Sequence, residues 1–124
     1  MAQDFRSLKV WQGAYDLSLE IYKITEKFPK EEKFSLVDQL RRSGISVAAN
    51  IAESYGRYHN KDKIQLLIIA RGSIYEVRSH LSIALGLNFI DQATFQNTED
   101  KYEILSKQLN SFIGYIKRTN KSSN

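Results

Sequence analysis

The sequence predicts an all-α protein, an antiparallel up-down-up-down four-helix bundle. Three observations support this fold class. Apolar residues recur at spacings of three and four in four segments, no segment alternates with a period of two, and the connections between segments are short. Short connections place consecutive helices side by side and antiparallel. The segments do not repeat one another, which makes a helical solenoid the weaker alternative.

The first predicted helix covers residues 7–28. Its apolar residues fall on one stripe, which we expect to face the core. Pro29 ends the helix because proline disfavours helical geometry in the residue before it. The stripe consists of Val10, Ala14, Leu17, Ile21, Ile24 and Phe28.

The second predicted helix covers residues 30–58. Glu31 and Glu32 follow Pro29, a pattern typical of a first helical turn. Gly44 lies mid-helix, where glycine costs about 1 kcal/mol relative to alanine, and this favours a packing role for it. The apolar seam of the helix consists of Val37, Leu40, Gly44, Val47 and Ile51, with Ala48, Ala49 and Ala52 beside it.

The third and fourth predicted helices cover residues 61–87 and 92–118, and Asn60 is the expected N-cap of the third. Both carry heptad-like spacing, which is typical of bundle helices. A polar C-terminal tail follows, and we assign residues 1–124 to a single domain. The two stripes consist of Leu67, Ala70, Ile74, Val77, Leu81 and Ala84 in the third helix, and of Phe95, Thr98, Tyr102, Leu105, Leu109, Phe112 and Ile116 in the fourth.

Composition indicates an ordinary soluble protein, with 42% apolar and 26% charged residues. The chain contains no cysteine, which excludes disulfides and thiolate metal sites. We expect a cytoplasmic location, because the sequence shows no signal peptide and no apolar run long enough for a membrane span. The net charge of +4 mildly favours polyanionic partners.

The search for catalytic chemistry is negative. The sequence lacks the Glu-x-x-His pairs of di-iron bundles and the glycine-rich motifs that bind phosphate. Of the two histidines, His59 falls at a predicted helix end, and His80 follows Glu76 by one helical turn. We therefore predict no catalytic residue, no metal ligand, no cofactor and no enzymatic activity.

Polar residues share one face on each of the second and third predicted helices. If these helices form a hairpin, Glu53 comes level with the segment that contains Arg71, and we expect an ion pair between them. One interpretation is a polar layer that fixes the register of the helices. The alternative is a recognition surface at a subunit or nucleic-acid interface. The residues assigned to this layer are Asn50, Glu53, Arg71 and Glu76.

Five cations bracket the second predicted helix and the connection after it: Arg41, Arg42, Arg57, Lys61 and Lys63. Our hypothesis is that they bind nucleic acid through its phosphates. In the alternative, they serve only solubility and ion pairing in a structural or protein-interaction module. Trp11 and Tyr15 lie at the edge of the core stripe of the first helix. For these two, oligomer contact or core edge is favoured over base stacking.

Several sequence blocks, in this order, resemble a known family. They are LKVWQ at 8–12, FPKEEKF at 28–34, DQLRR at 38–42, ANIAE at 49–53, YGR at 55–57 and RGSIYEV at 71–77. Together they resemble the four-helix-bundle proteins encoded in intervening sequences of bacterial large-subunit (23S) ribosomal RNA genes. The resemblance extends from about Phe5 to Ile116 and is strongest over residues 28–90.

The resemblance implies an antiparallel four-helix bundle assembled into a ring-shaped homopentamer. The chain is also similar to the accessory protein of diversity-generating retroelements, a pentameric bundle associated with a reverse transcriptase and nucleic acid. The family name records where the genes were found and does not establish a ligand. The expected function is that of a non-enzymatic oligomeric accessory protein that binds nucleic acid, RNA in the first instance. The alternative is an interaction module without a nucleic-acid role.

Overall fold

The computed structural model describes residues 4–119 and contains the four expected helices. Within this range no strand occurs, and the all-α class is confirmed. The helices are α1 (Lys9–Thr25), α2 (Leu36–Tyr55), α3 (Asn60–Gly86) and α4 (Gln92–Thr119). Short 3₁₀ turns precede α1 at Phe5–Ser7 and α2 at Lys30–Glu32. Most of the predicted polar tail lies outside the described residues.

Each helix packs against its neighbours in the sequence, and α1 also contacts α4, which closes the bundle. Side-chain contacts give the direction of the α2–α3 pair. Ser46 in the middle of α2 hydrogen-bonds Ser73 in the middle of α3. Lys63 at the start of α3 contacts the carbonyl of Ser54 at the end of α2. Contacts between the other neighbouring helices run in the same opposed order, so the arrangement agrees with up-down-up-down topology.

The predicted start of the second helix at residue 30 is wrong. The segment Lys30–Glu32 forms only one 3₁₀ turn, and α2 begins at Leu36. Ser35 interrupts the helical backbone with φ −125° and ψ −98°, and its Oγ donates to Glu32 Oε1 at 2.8 Å instead of capping α2. The helix ends at Tyr55 rather than at residue 58, and α1 ends at Thr25 rather than at residue 28. The bounds of α3 and α4 agree with the prediction within one residue at each end.

The predicted stripes form the core. All named seam residues of α2 and α3 are buried, and those of α3 are fully enclosed. Ile24, Phe95 and Phe112 are only half-buried at the edges of the core. In α4, Ile113 joins the buried stripe, and Tyr102 crosses the bundle so that its hydroxyl lies near Gly44 of α2.

Polar side chains fix the helix ends. His59, not Asn60, is the N-cap of α3. Asn60 is buried instead and donates its Nδ2 to the carbonyl of Ile116, which ties the start of α3 to the end of α4. Asp91 caps α4 by accepting from the Thr94 amide at 2.7 Å, and this bond lowers the pKa of its carboxyl. Asn88 ends the α3 segment with φ 63°, a conformation that asparagine tolerates.

Candidate functional site

The structure divides the five predicted cations between the two ends of α2. Arg41 and Arg42 lie in its early turns, whereas Arg57, Lys61 and Lys63 lie around the connection to α3. The two groups are roughly 20 Å apart along the helix at 1.5 Å per residue. They therefore do not form one continuous patch.

At the first location, the two neighbouring arginines have different environments. Arg42 is an exposed residue paired with Asp38 one turn earlier at 2.8 Å. Arg41 is half-buried against α1, where its Nε donates to Thr25 Oγ1 at 2.9 Å. Its guanidinium also lies over the Tyr22 ring, 4.3 Å from the centroid. Arg41 thus belongs to the α1–α2 seam, and Arg42 to the solvated surface.

At the second location, Arg57 and Lys63 form contacts that stabilise the end of α2. Arg57 pairs with Glu53 one turn earlier, and this partner raises the pKa of the guanidinium. Lys63 Nζ donates to the carbonyls of Ser54 and Tyr55 at 3.2 and 3.3 Å. A cation here satisfies the terminal carbonyls of α2 and complements its dipole. Lys61 is exposed on the first turn of α3.

The predicted ion pair between Glu53 and Arg71 is wrong. Glu53 is half-exposed and bonds Arg57 of its own helix. Arg71 reaches the other way, towards α4, and its Nη1 donates to Asn110 Oδ1 at 3.0 Å. The contacts of Ser46 with Ser73 and of Ser54 with Lys63 place Arg71 more than one helical turn from the level of Glu53. Its side chain also lies on the α4 side of α3, which spacing along the sequence does not show. Glu76 is exposed and lies 3.5 Å from His80 of its own helix.

A polar layer between α2 and α3 does exist, with a different composition. Ser46 Oγ and Ser73 Oγ lie 2.9 Å apart, and Asn50 Nδ2 donates to Ser46 Oγ at 3.1 Å. Of the four predicted members, Asn50 therefore lies in this layer, whereas Ser73 was not singled out from the sequence. Serine is small enough to lie between close-packed helices, and its spacing in the sequence did not mark it as a contact.

A second polar contact joins α3 to α4. Arg78 Nε donates to Glu99 Oε1 at 2.7 Å, and both side chains are largely covered. Arg78 shares a face of α3 with Arg71, so its position on a polar face was evident from the sequence. Its partner Glu99 was not predictable, because its spacing does not distinguish it from the exposed glutamates of α4.

The described cations are unevenly distributed along the bundle. One end holds the start of α1, the α2–α3 connection and the end of α4. We call it the basic end. Its cations are Arg6, Lys9, Arg57, Lys61, Lys63, Lys117 and Arg118, and its acids are Asp4, Glu53 and Asp62. The opposite end is near balance, with Lys23, Lys27, Lys30, Lys33, Arg41 and Arg42 against Glu26, Glu31, Glu32, Asp38 and Asp91.

Two exposed apolar surfaces lie on different sides of the bundle. The α1–α2 face consists of Trp11, Tyr15, Leu19, Tyr22 and Ile45, with the Trp11 and Tyr15 rings stacked at 5.1 Å. The α3 face consists of Ile69, Gly72, Ile83 and Leu87, which share one outward stripe at helical spacing with the charged Glu76. Exposed apolar surface of this kind marks sites of protein association.

An open cleft lies between α1 and α4, the pair with the least extensive contact among neighbouring helices. It has a volume of about 300 Å³, and the ion pair between Lys101 and Glu20 spans it at 3.1 Å. Within residues 4–119 no group of three or more histidine, aspartate or glutamate side chains is placed to hold a metal ion. None of the described helices combines the length and apolar character needed to cross a bilayer.

Comparison with known proteins agrees with this architecture. The sequence profile of the 23S rRNA-intervening sequence protein family matches residues 6–111. The chain belongs to this family. The name of the 23S rRNA-intervening sequence protein family specifies no ligand. No curated protein matches the sequence.

A solved structure supports the fold of this family member independently. It is the crystal structure of a protein of unknown function from the S23 ribosomal protein family of Bacteroides thetaiotaomicron. The two chains are 24% identical and superpose with a TM-score of 0.76, over 84% of this chain and 97% of that chain. At this identity the likeness establishes the fold alone.

Proposed function

We propose that this protein is a non-enzymatic, self-associating accessory protein that binds nucleic acid, RNA in the first instance, through its basic end. The observation that carries the proposal is the excess of cations over acids at that end. Exposed lysine and arginine side chains bind the phosphate backbone and release its counterions, without reading the bases. This function is consistent with the cytoplasmic location expected from the sequence.

The test is fluorescence anisotropy with labelled RNA and DNA at several salt concentrations. The expected result is affinity that falls steeply with salt, with a slope that reports the number of phosphates contacted. Absence of binding to either nucleic acid at low salt would overturn the proposal.

Two matched variants locate the contact. Lys61→Gln with Lys117→Gln removes two charges at the basic end, and Lys23→Gln with Lys27→Gln removes two at the opposite end. The first pair is expected to reduce the slope of log affinity against log salt by about 1.4 to 1.8, since each phosphate contact contributes about 0.7 to 0.9. The second pair should leave the slope unchanged. Equal losses in both would place binding elsewhere.

Self-association is the second part of the proposal. The α1–α2 face and the α3 face lie on different sides of one chain. A contact between the α3 face of one copy and the α1–α2 face of another repeats from copy to copy, and it forms a ring when the rotation between copies closes. The family resemblance implies that five copies close the ring. Light scattering on protein purified without nuclease measures the assembly, and the absorbance ratio reports nucleic acid that co-purifies. A monomer free of nucleic acid would contradict both parts.

The alternative function is a protein-interaction module without a nucleic-acid role. The observation that favours it is the apolar α1–α2 face, whose Trp11 and Tyr15 are residue types that suit protein interfaces. A pull-down that returns one specific protein and no nucleic acid would support this alternative. Loss of that partner in Tyr15→Glu, with normal folding, would assign the contact to the α1–α2 face.

A further inference from the structure

Arg41 is a cation held in place by neutral groups. Its Nε donates to Thr25 Oγ1, its Nη2 lies 3.4 Å from the carbonyl of Tyr22, and the Tyr22 ring supports it from one side. Thr25 is itself fixed, because its hydroxyl contacts the Ile21 carbonyl at 2.7 Å. Among residues 4–119 no carboxylate forms an ion pair with Arg41. The guanidinium is therefore oriented while retaining donors for an anion.

Arg41 lines a cavity of about 360 Å³ at the opposite end of the bundle. Lys30 and Lys33 also line it, against one acid, Glu26. The buried side chains of Phe28 and Val37 contribute an apolar wall. This volume falls within the range of small-molecule sites, and the combination of apolar wall and cations suits an anion with an organic part.

A second depression of about 290 Å³ adjoins the cavity and shares Lys33, Val37 and Arg41 with it. Its lining adds the ion-paired Asp38 and Arg42, and it borders the α1–α2 face at Tyr22 and Ile45. Phe34 lines this depression and is 88% exposed. Lys33 Nζ lies 5.4 Å from the centre of the Phe34 ring, so the cation and the aromatic surface are adjacent. An exposed aromatic ring beside cations is the arrangement on which proteins stack nucleic-acid bases.

We propose that Arg41, Lys33 and Phe34 form a binding site for a nucleotide that carries a phosphate monoester. Arg41 and Lys33 bind the phosphate, and the base stacks on Phe34. The ligand chemistry is the same in a free nucleotide and in the terminal nucleotide of a nucleic acid. The site lies roughly 20 Å along α2 from the basic end and does not depend on the function proposed for that end.

The test is a titration of the isotope-labelled protein, followed by amide chemical shifts, with adenosine 5′-monophosphate, inorganic phosphate and adenosine. Adenosine monophosphate should perturb residues 22–45 at the lowest concentration, because it has both the base and the phosphate. Phosphate and adenosine alone should bind at least about tenfold more weakly, a difference of about 1.4 kcal/mol. Lack of perturbation in this segment with millimolar adenosine monophosphate at low salt would overturn the proposal.

Variants separate the site from general electrostatics. Arg41→Lys keeps the charge but loses the planar guanidinium, and it is expected to weaken adenosine monophosphate binding about tenfold or more. Phe34→Ala truncates an exposed side chain. It should weaken binding of the nucleotide while leaving binding of inorganic phosphate unchanged. Lys23→Gln, an exposed change on α1 outside the cavity, is the matched control. A Phe34→Ala protein that binds the nucleotide normally, or equal losses in Lys23→Gln and Arg41→Lys, would contradict the site.

Oligonucleotides with a 5′-phosphate and with a 5′-hydroxyl distinguish a site for a free nucleotide from a site for the terminal nucleotide of a nucleic acid. A terminal site predicts preference for the phosphorylated end, and this preference should disappear in Arg41→Lys. A free-nucleotide site predicts equal affinity for the two oligonucleotides and displacement of neither by adenosine monophosphate. Because the cations of the basic end are intact in Arg41→Lys, the salt-dependent backbone binding proposed above can succeed or fail separately.

Discussion

At the scale of single residues, some buried polar groups have hydrogen-bond partners, whereas three buried side-chain atoms of the described residues have none: His80 Nε2, Glu99 Oε2 and the Tyr102 hydroxyl oxygen. Asn60 and Ser73 each bond a neighbouring helix, so their burial also fixes which helices are adjacent. Tyr102 is 1% exposed, and its hydroxyl has no hydrogen-bond partner among the described residues. Burial and the nearby charge of Glu20 both raise the pKa of that hydroxyl. The two kinds of group predict opposite effects of mutation.

Asn60→Ala is expected to destabilise the protein by about 1 to 3 kcal/mol, because it removes the buried hydrogen bond to the Ile116 carbonyl and leaves that carbonyl only the longer contact from Thr119 Oγ1 at 3.4 Å. Urea unfolding measures the loss. Asn110→Ala is the control, since Asn110 makes an exposed bond to Arg71. We expect the control to lie within about 0.5 kcal/mol of the wild type. Equal effects in the two variants would contradict a role for burial.

Tyr102→Phe is expected to raise the free energy of unfolding by about 1 kcal/mol at pH 7, because it removes a buried hydroxyl without a partner. The wild type should also lose stability in alkali. With the pKa raised in the folded state, the unfolded state ionises first, so stability falls as the pH rises above about 10.

The Phe variant lacks this ionisation. Its advantage over the wild type should therefore grow between pH 9 and pH 11 in urea unfolding experiments. An advantage that stays constant over this range would mean that the hydroxyl reaches solvent or a partner when ionised.

At the scale of elements, helix type and core face were predictable from the sequence, while the start of α2 and the partner of Arg71 were not. Heptad spacing identified every fully buried position of the α3 stripe. The start of α2 was missed because Pro29 and two acids look like a first turn, although the Ser35 backbone interrupts the helix. The direction of the Arg71 side chain depends on which neighbour lies on which side of α3, and spacing along one helix does not encode that.

Gly72 lowers the stability of α3, and no contact within one chain requires a glycine at this position. It is exposed in the middle of the helix, and a Cβ added there would meet nothing within 4 Å. Gly72→Ala is therefore expected to raise the stability of the isolated chain by about 1 kcal/mol. If a second copy approaches the α3 face closely at Gly72, the same change should weaken self-association.

Thermal unfolding at low concentration and sedimentation at high concentration measure the two effects. Gly86→Ala is the control, because its Cβ would also meet nothing within 4 Å but it lies at the last residue of α3. A Gly72→Ala protein that associates like the wild type would remove Gly72 from the interface.

At the scale of the whole molecule, the basic end and the exposed apolar faces could be predicted only in part from the sequence. The list of cations and their positions on either side of the second helix were available, but the contact of Arg41 with α1 and the use of Lys63 as a helix cap emerge only from the fold. Apolar residues at Ile69 and Ile83 looked like ordinary helix composition until α3 was placed with that stripe outward. Surface location depends on three-dimensional packing, which a single sequence leaves open.

Self-association predicts that the melting temperature depends on protein concentration. Copies that bind the folded state and not the unfolded state stabilise it by mass action, so each tenfold dilution should lower the melting temperature by on the order of a few °C. Differential scanning fluorimetry over a thousandfold range checks this. Ile69→Glu with Ile83→Glu should melt at one temperature throughout, because charges on the α3 face oppose association. A wild type that also melts independently of concentration would count against the assembly.

The concentration of cations at one end of the bundle gives such an assembly a polarity. Copies related by a rotation axis parallel to their helices present all basic ends on the same face. If the proposed function holds, a nucleic acid that crosses this face would meet several equivalent sites at fixed spacing, and the second and later contacts would be intramolecular. Individually weak phosphate contacts would then combine into strong overall binding. Long strands that span several sites would bind more tightly than short ones by a factor on the order of 100 or more. Length discrimination would arise without any side chain reading a base.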